Sequence, residues 1–122
     1  MKLQKDTMDL LNGTWKGFYV QCGKRHSQSM NINYLPKDGN GGMMNGFGAD
    51  ALGEFDVHGK FIFQSVGNQF NLTFEKKYRQ AHSIFYSATI PLNNRSIMSG
   101  KWSFNQDGSK VDEFYLTKCS GN

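Results

Sequence analysis

The sequence predicts an all-β chain, a small antiparallel up-and-down β-barrel of eight or nine strands with a short N-terminal helix. Three observations predict it. Apolar residues recur at every second position through most of the chain, the period of a strand with one buried face. Turn signals built on Gly, Asn, Asp and Pro separate these runs at near-regular spacing. Aromatics carry much of the apolar content, with 10 Phe, 5 Tyr and 2 Trp beside 14 Gly and only 2 Pro. That mixture suits short strands joined by tight turns.

The elements follow in order. Leu3, Met8, Leu10 and Leu11 fall at helical spacing in "LQKDTMDLL", so a helix of about two turns is expected over 3–11. Asn12-Gly13 stops it, because Gly is favoured just past a helix end. "TWKGFYVQC" then alternates Trp15, Gly17 and Tyr19 against Lys16, Phe18 and Val20. "SMNINYL" puts Met30, Ile32 and Tyr34 on one face, and "PKDGNGG" ends that strand. The glycine-rich third strand ends at "ADALG", and "EFDV" and "KFIFQSV" read as a hairpin about His58-Gly59. In "QFNLTFEKKY", Phe70, Leu72 and Phe74 alternate with Asn71, Thr73 and Glu75. "HSIFYSATI" groups Ile84, Tyr86, Ala88 and Ile90, and "SIMSGKWSF" groups Met98, Gly100, Trp102 and Phe104. "VDEFYLTKC" sets Phe114 and Leu116 opposite Glu113 and Tyr115. Turns are expected at Gly67-Asn68, at 91–94 and at Gln106-Asp107-Gly108.

Eight or so strands this short either curl closed or split into a sandwich. Closure removes the edges that aromatic strands would otherwise expose. With 122 residues, the expectation is one domain over 1–122, with 1–12 as a helical lead-in.

The stretch "LLNGTWKGFY" resembles the first strand of the calycin barrels, namely lipocalins, fatty-acid-binding proteins and avidins. Their Gly-x-Trp indole plugs one barrel end. The resemblance implies that Trp15 points into the barrel floor, with Leu10 and Leu11 covering it. One departure stands out: many calycins stack a last-strand Arg on that Trp, whereas this strand reads "FYLTKC", with Lys118.

Composition narrows the function classes. The net charge is +4, a mildly basic balance that leans toward acidic partners. No apolar run approaches the roughly 20 residues of a membrane-spanning helix. The charged "MKLQKDTMDLL" lacks a signal-peptide core, so an intracellular, cytoplasmic protein is expected. Cys22 and Cys119 are far apart and are expected as two thiols.

Catalytic signals are sparse. His26, in a polar turn after "GKR", and His58 and His82 have no metal-spaced partner, so no metal and no cofactor is expected. Glu54 and Asp56 share a strand face, but Phe55 and Val57 alternate against them, which turns both acids to water. "GNGGMMNGFGADALG" lacks the following helix that a phosphate cradle requires, and its glycines read as turn and packing positions. Basic clusters stand at Lys24-Arg25-His26 and at Lys76, Lys77 and Arg79 beside Tyr78, a pattern that single-strand nucleic-acid binders also use.

The function expected is therefore a non-enzymatic small-barrel binding or scaffold module, a protein-interaction subunit of a larger intracellular assembly. Its contact residues would be Phe18, Arg25, Arg79, Phe85 and Tyr115 on the outer wall and rim. The alternative is a carrier of a lipid or other small apolar ligand, held by Trp15, Tyr19, Phe70, Phe74, Tyr86 and Trp102 in the interior. A cavity of about 300 Å³ or more would favour the carrier. A third reading is a weak RNA- or single-stranded-DNA-binding module.

Overall fold

The computed structural model describes residues 9–37, 39–79, 82–105 and 111–119. Eight strands follow in chain order: β1 (Gly13–Gln21), β2 (Lys24–Pro36), β3 (Gly41–Asp50), β4 (Gly53–Gln64), β5 (Gln69–Tyr78), β6 (Ser83–Pro91), β7 (Ile97–Ser103) and β8 (Val111–Lys118). Each pairs antiparallel with the next, and β8 pairs antiparallel with β1, so the sheet closes as a barrel. Among the described residues the strand number is eight and not nine. Among the described residues no helix is long and apolar enough to cross a membrane.

The period-two faces are in the predicted phase. Met30, Ile32 and Tyr34 of β2, Phe70, Leu72 and Phe74 of β5, and Ile84, Tyr86, Ala88 and Ile90 of β6 are all buried. Trp15 is fully buried and donates its indole N–H to the Leu11 carbonyl at 3.0 Å. Lys118 is the direct cross-strand partner of Trp15.

Four expectations need correction. Residues 9–11 are helical, and the rest of the expected helix lies outside the described residues. Leu11 alone lies under the barrel, because successive helix residues point about 100° apart; Leu10 is 55% exposed. There is no hairpin at His58-Gly59: β4 runs unbroken, and Phe55, Val57, Gly59, Phe61 and Phe63 share its inner face. Gly59 is there for space, since a Cβ on it would lie 2.4 Å from the Phe74 Cβ. His26 lies within β2 rather than in a turn, with its ring stacked on Tyr19 at 5.1 Å. Phe104 follows the end of β7 and is 44% exposed, so it stands on the rim rather than in the core. The expected turn at 106–108 lies outside the described residues.

The two ends of the barrel differ. One end carries the β2–β3, β4–β5 and β6–β7 turns and is packed with Trp15, Tyr34, Phe61, Phe63 and Phe70. Midway, Phe74, Tyr86 and Phe114 pack ring on ring, with centroids 4.7 to 6.4 Å apart. An eight-stranded interior is just wide enough for side chains to fill, and these rings fill it. The other end, at the β1–β2, β3–β4 and β5–β6 connections, is open.

The glycine-rich stretch is strand β3, followed by strand β4, as the rejection of a phosphate cradle required. Its inner face reads Gly42, Met44, Gly46, Gly48 and Asp50. A Cβ on Gly48 would come within 2.7 Å of the Phe55 ring, so the missing side chain is what admits that ring. Asp50 is carried inward at the open end by the same alternation.

Candidate binding site at the open rim

Three strands each deliver a polar residue to the inner face near the open end: Gln28 from β2, Asp50 from β3 and Lys76 from β5. Lys76 is 1% exposed. Its ammonium donates to Asp50 Oδ2 at 2.9 Å and to Gln28 Oε1 at 3.1 Å. The Tyr78 hydroxyl donates to the same Asp50 oxygen, and the Leu52 amide donates to Asp50 Oδ1 at 2.8 Å. The Tyr86 hydroxyl donates to Gln28 Oε1 at 3.2 Å. Lysine only donates, so this contact fixes the orientation of the Gln28 amide. Its buried Nε2 then has no partner among the described residues.

Four rings surround the ammonium. The centroids of Tyr19, Phe55, Tyr78 and Tyr86 lie 4.6, 4.9, 5.2 and 5.4 Å from Lys76 Nζ, a cation–π cage about a desolvated charge. Burial pulls the Lys76 pKa below its ordinary value, and the hydrogen bond and charge of Asp50 oppose that shift. Burial, then Asp50, pushes the Tyr78 and Tyr19 hydroxyls up. Tyr86 is raised chiefly by burial, against its hydrogen bond to Gln28. The three hydroxyls therefore remain protonated at neutral pH.

Above this cluster lies a cavity of about 210 Å³, open to one side. Lys76 lines it from below, with Tyr19, Tyr86 and Trp102 on its walls and Leu52 and Phe104 at its mouth. Leu52 is 66% exposed. The Trp102 indole N–H is spent on the Val20 carbonyl at 2.9 Å, which fixes the ring against the wall.

The structure divides the residues singled out from sequence. Tyr19, Tyr86 and Trp102 reach this cavity. Trp15 and Phe70 belong to the packed end, and Phe74 to the middle of the filled lumen. On the outer wall, Phe18 and Tyr115 stack at 5.9 Å and Arg25 lies 4.4 Å over the Phe18 ring, so these three form one patch. Phe85 is elsewhere, in an open outer groove with Met43, Lys60 and Lys101. Arg79 is apart again, paired with Glu54 at 2.7 Å and Asp56 at 3.6 Å. The basic cluster of Lys76, Lys77 and Arg79 is not one surface, because Lys76 points into the barrel while Lys77 is exposed.

Sequence reasoning missed Lys76, Asp50, Gln28 and Tyr78 as site residues. A signal was present. Lys76 and Tyr78 continue the inward series of Phe70, Leu72 and Phe74, Gln28 precedes Met30 and Ile32 in phase, and Asp50 continues that of Met44. A lysine or aspartate reads as solvent-facing by its charge, whereas here the strand phase decides.

The molecule belongs by architecture to the closed eight-stranded antiparallel barrels, with one packed end and one open, aromatic-lined end. No family model matches the chain, and no curated protein matches it. Among solved structures it is similar to a redesigned β-barrel, with a TM-score of 0.60 and 12% sequence identity over 93% of this chain and 96% of that one. At that identity the likeness shows the fold.

Proposed function

We propose that the chain is a non-enzymatic binding module that works through its open rim, as a protein-interaction subunit of a larger intracellular assembly. The observation that carries this reading is the contrast between the two ends. The lumen is filled by its own rings, whereas Leu52 and Phe104 present apolar surface at the mouth of a cavity at the rim. Exposed apolar side chains around a pocket are what a partner's anchor residue needs. Asp50 already accepts three hydrogen bonds, from Lys76, Tyr78 and the Leu52 amide, which argues against a general base. The Gly13-x-Trp15 floor and the eight-stranded meander support a calycin-like relationship.

The cavity of about 210 Å³ favours a second reading, a small-ligand binder, over a lipid carrier. It falls below the roughly 300 Å³ at which ligand pockets for larger molecules begin. The nucleic-acid reading loses Lys76 to the interior and keeps Arg79 only in its pairs with Glu54 and Asp56.

Native mass spectrometry of the protein from its own source tests the proposal. A retained protein partner that is lost in the Leu52→Asp/Phe104→Asp variant supports it. A retained lipid in place of a partner, or a partner indifferent to both substitutions, overturns it.

A further inference from the structure

We propose that the rim cavity is a binding site for a small, flat, neutral ring bearing a hydrogen-bond acceptor, such as an aromatic amide. The inference rests on the reading of the open rim as the binding end, and it names the chemistry that end accepts.

Shape is the first argument. The rings of Tyr19, Trp102, Phe104, His82 and Tyr78 follow one another around the cavity. Successive centroids are 6.2, 5.0, 6.1 and 5.5 Å apart. All five line the cavity. Such a collar offers faces and edges together, and aromatic rings pair best edge-to-face or offset. Size is the second argument. An apolar cavity of about 150 Å³ holds one benzene, so about 210 Å³ holds one ring with a small polar substituent. A long acyl chain would extend out of it.

Polarity is the third argument. The base of the cavity holds Lys76 paired with Asp50, so its formal charges cancel. A charged ligand would lose its water without meeting an unpaired counter-charge. The acceptors of the pair are used, since Asp50 takes bonds from Lys76, Tyr78 and the Leu52 amide. The donors are not used up. The ammonium has three protons, and among the described residues Asp50 and Gln28 accept two. The Tyr19 hydroxyl, on the cavity wall, makes no hydrogen bond to any described residue. At Lys76 and Tyr19 the unused groups are donors, and a ring carrying a carbonyl supplies their acceptor.

The test is titration of the intact protein at neutral pH with benzamide, benzoate, toluene and benzyltrimethylammonium, followed by indole N–H resonances. Benzamide is expected to saturate about tenfold more tightly than toluene, the preference that one hydrogen bond from a charged donor confers. Benzoate and the quaternary ammonium are expected to be weaker, and Trp102 is expected to shift most. In Asp50→Asn/Lys76→Met, which removes both charges together, the preference for benzamide should fall to about twofold or less. Tyr19→Phe keeps the ring and should lower the same preference, so the outcome is decided even if the double variant fails to fold. Equal binding of toluene and benzamide, tighter binding of benzyltrimethylammonium, or no saturable probe overturns the inference. None of those results alters the partner species that depends on Leu52 and Phe104, so the two readings fail separately.

Discussion

Lys76 shows what one side chain can commit a barrel to. Its amine is desolvated, paired with a carboxylate that is itself buried, and caged by four rings. Removing one partner of such a pair leaves an uncompensated charge. Lys76→Met should therefore cost about 3–5 kcal/mol. Replacing both partners, as Asp50→Asn/Lys76→Met, should recover most of that loss, because the charge left behind is what makes the single change expensive. Urea midpoints check both values. A single variant no less stable than the double would show that the pair does not act as a unit. Trp15 is the contrasting case, a fully buried apolar ring whose one polar atom is bonded to Leu11. Trp15→Ala should cost about 3–5 kcal/mol through the void it leaves. A loss below about 1 kcal/mol would mean that the indole does not close the floor. The difference between these residues also explains what the sequence disclosed. Trp15 lay in a recognisable Gly-x-Trp and was assigned correctly. Lys76 lay in phase with Phe74, yet an unpaired lysine is expensive to bury. Its partners, Asp50 and Gln28, are 26 and 48 residues away in the chain.

At the scale of the strand, alternation was legible and its interruptions were not. A hydrophobic phase of two residues assigns every side chain of a strand to one face, which is why the cores of β2, β5, β6 and β8 were readable in advance. Glycine is ambiguous because it serves both turns and close approach. Gly23, Gly53 and Gly67 have positive φ and sit at turns. Gly59 has no such conformation and sits mid-strand, opposite Phe74. Gly59→Ala should therefore destabilise by overpacking, about 1–3 kcal/mol. The companion variant Gly59→Ala/Phe74→Gly should be less damaging than the sum of its parts, because removing the Phe74 Cβ takes away one of the atoms the new methyl would meet. Strict additivity in a double-mutant cycle would mean that the Thr73 carbonyl, and not the Phe74 side chain, sets the cost.

Closure with an even number of strands is a property of the whole molecule, and two measurements read it. The first is pH. Burial holds Tyr34, Tyr78, Tyr86 and Tyr19 above the ordinary phenol value. The folded chain then keeps protons that the unfolded chain releases near pH 10. Stability from these groups is complete below about pH 10 and falls as the pH rises above it. Lys76 has the opposite sign, since its lowered pKa relieves a cost as the pH approaches that of a free lysine. Four tyrosines outweigh one lysine, so the urea midpoint should drop as the pH rises above about 10, with tyrosinate absorbance appearing as the protein unfolds. A flat midpoint would mean that the rings are not sealed in. The second measurement concerns the cysteines. In an even-stranded barrel the first and last strands are antiparallel neighbours, as β1 and β8 are. Cys22 follows the end of β1 at the open rim, whereas the Cys119 amide donates to the Thr14 carbonyl at 2.9 Å, at the packed end. Seven residues of strand separate Trp15 from Cys22, about 23 Å at the usual rise. A disulfide needs Cα atoms within about 7 Å. Denaturation without reductant, alkylation and mass measurement should therefore give two labels per chain. Before denaturation Cys22 should react first, because it is exposed and Cys119 is only partly so. A chain that takes no label would have its first and last strands ending at the same rim. That arrangement requires an odd strand number and is incompatible with the β1–β8 pairing that closes this barrel.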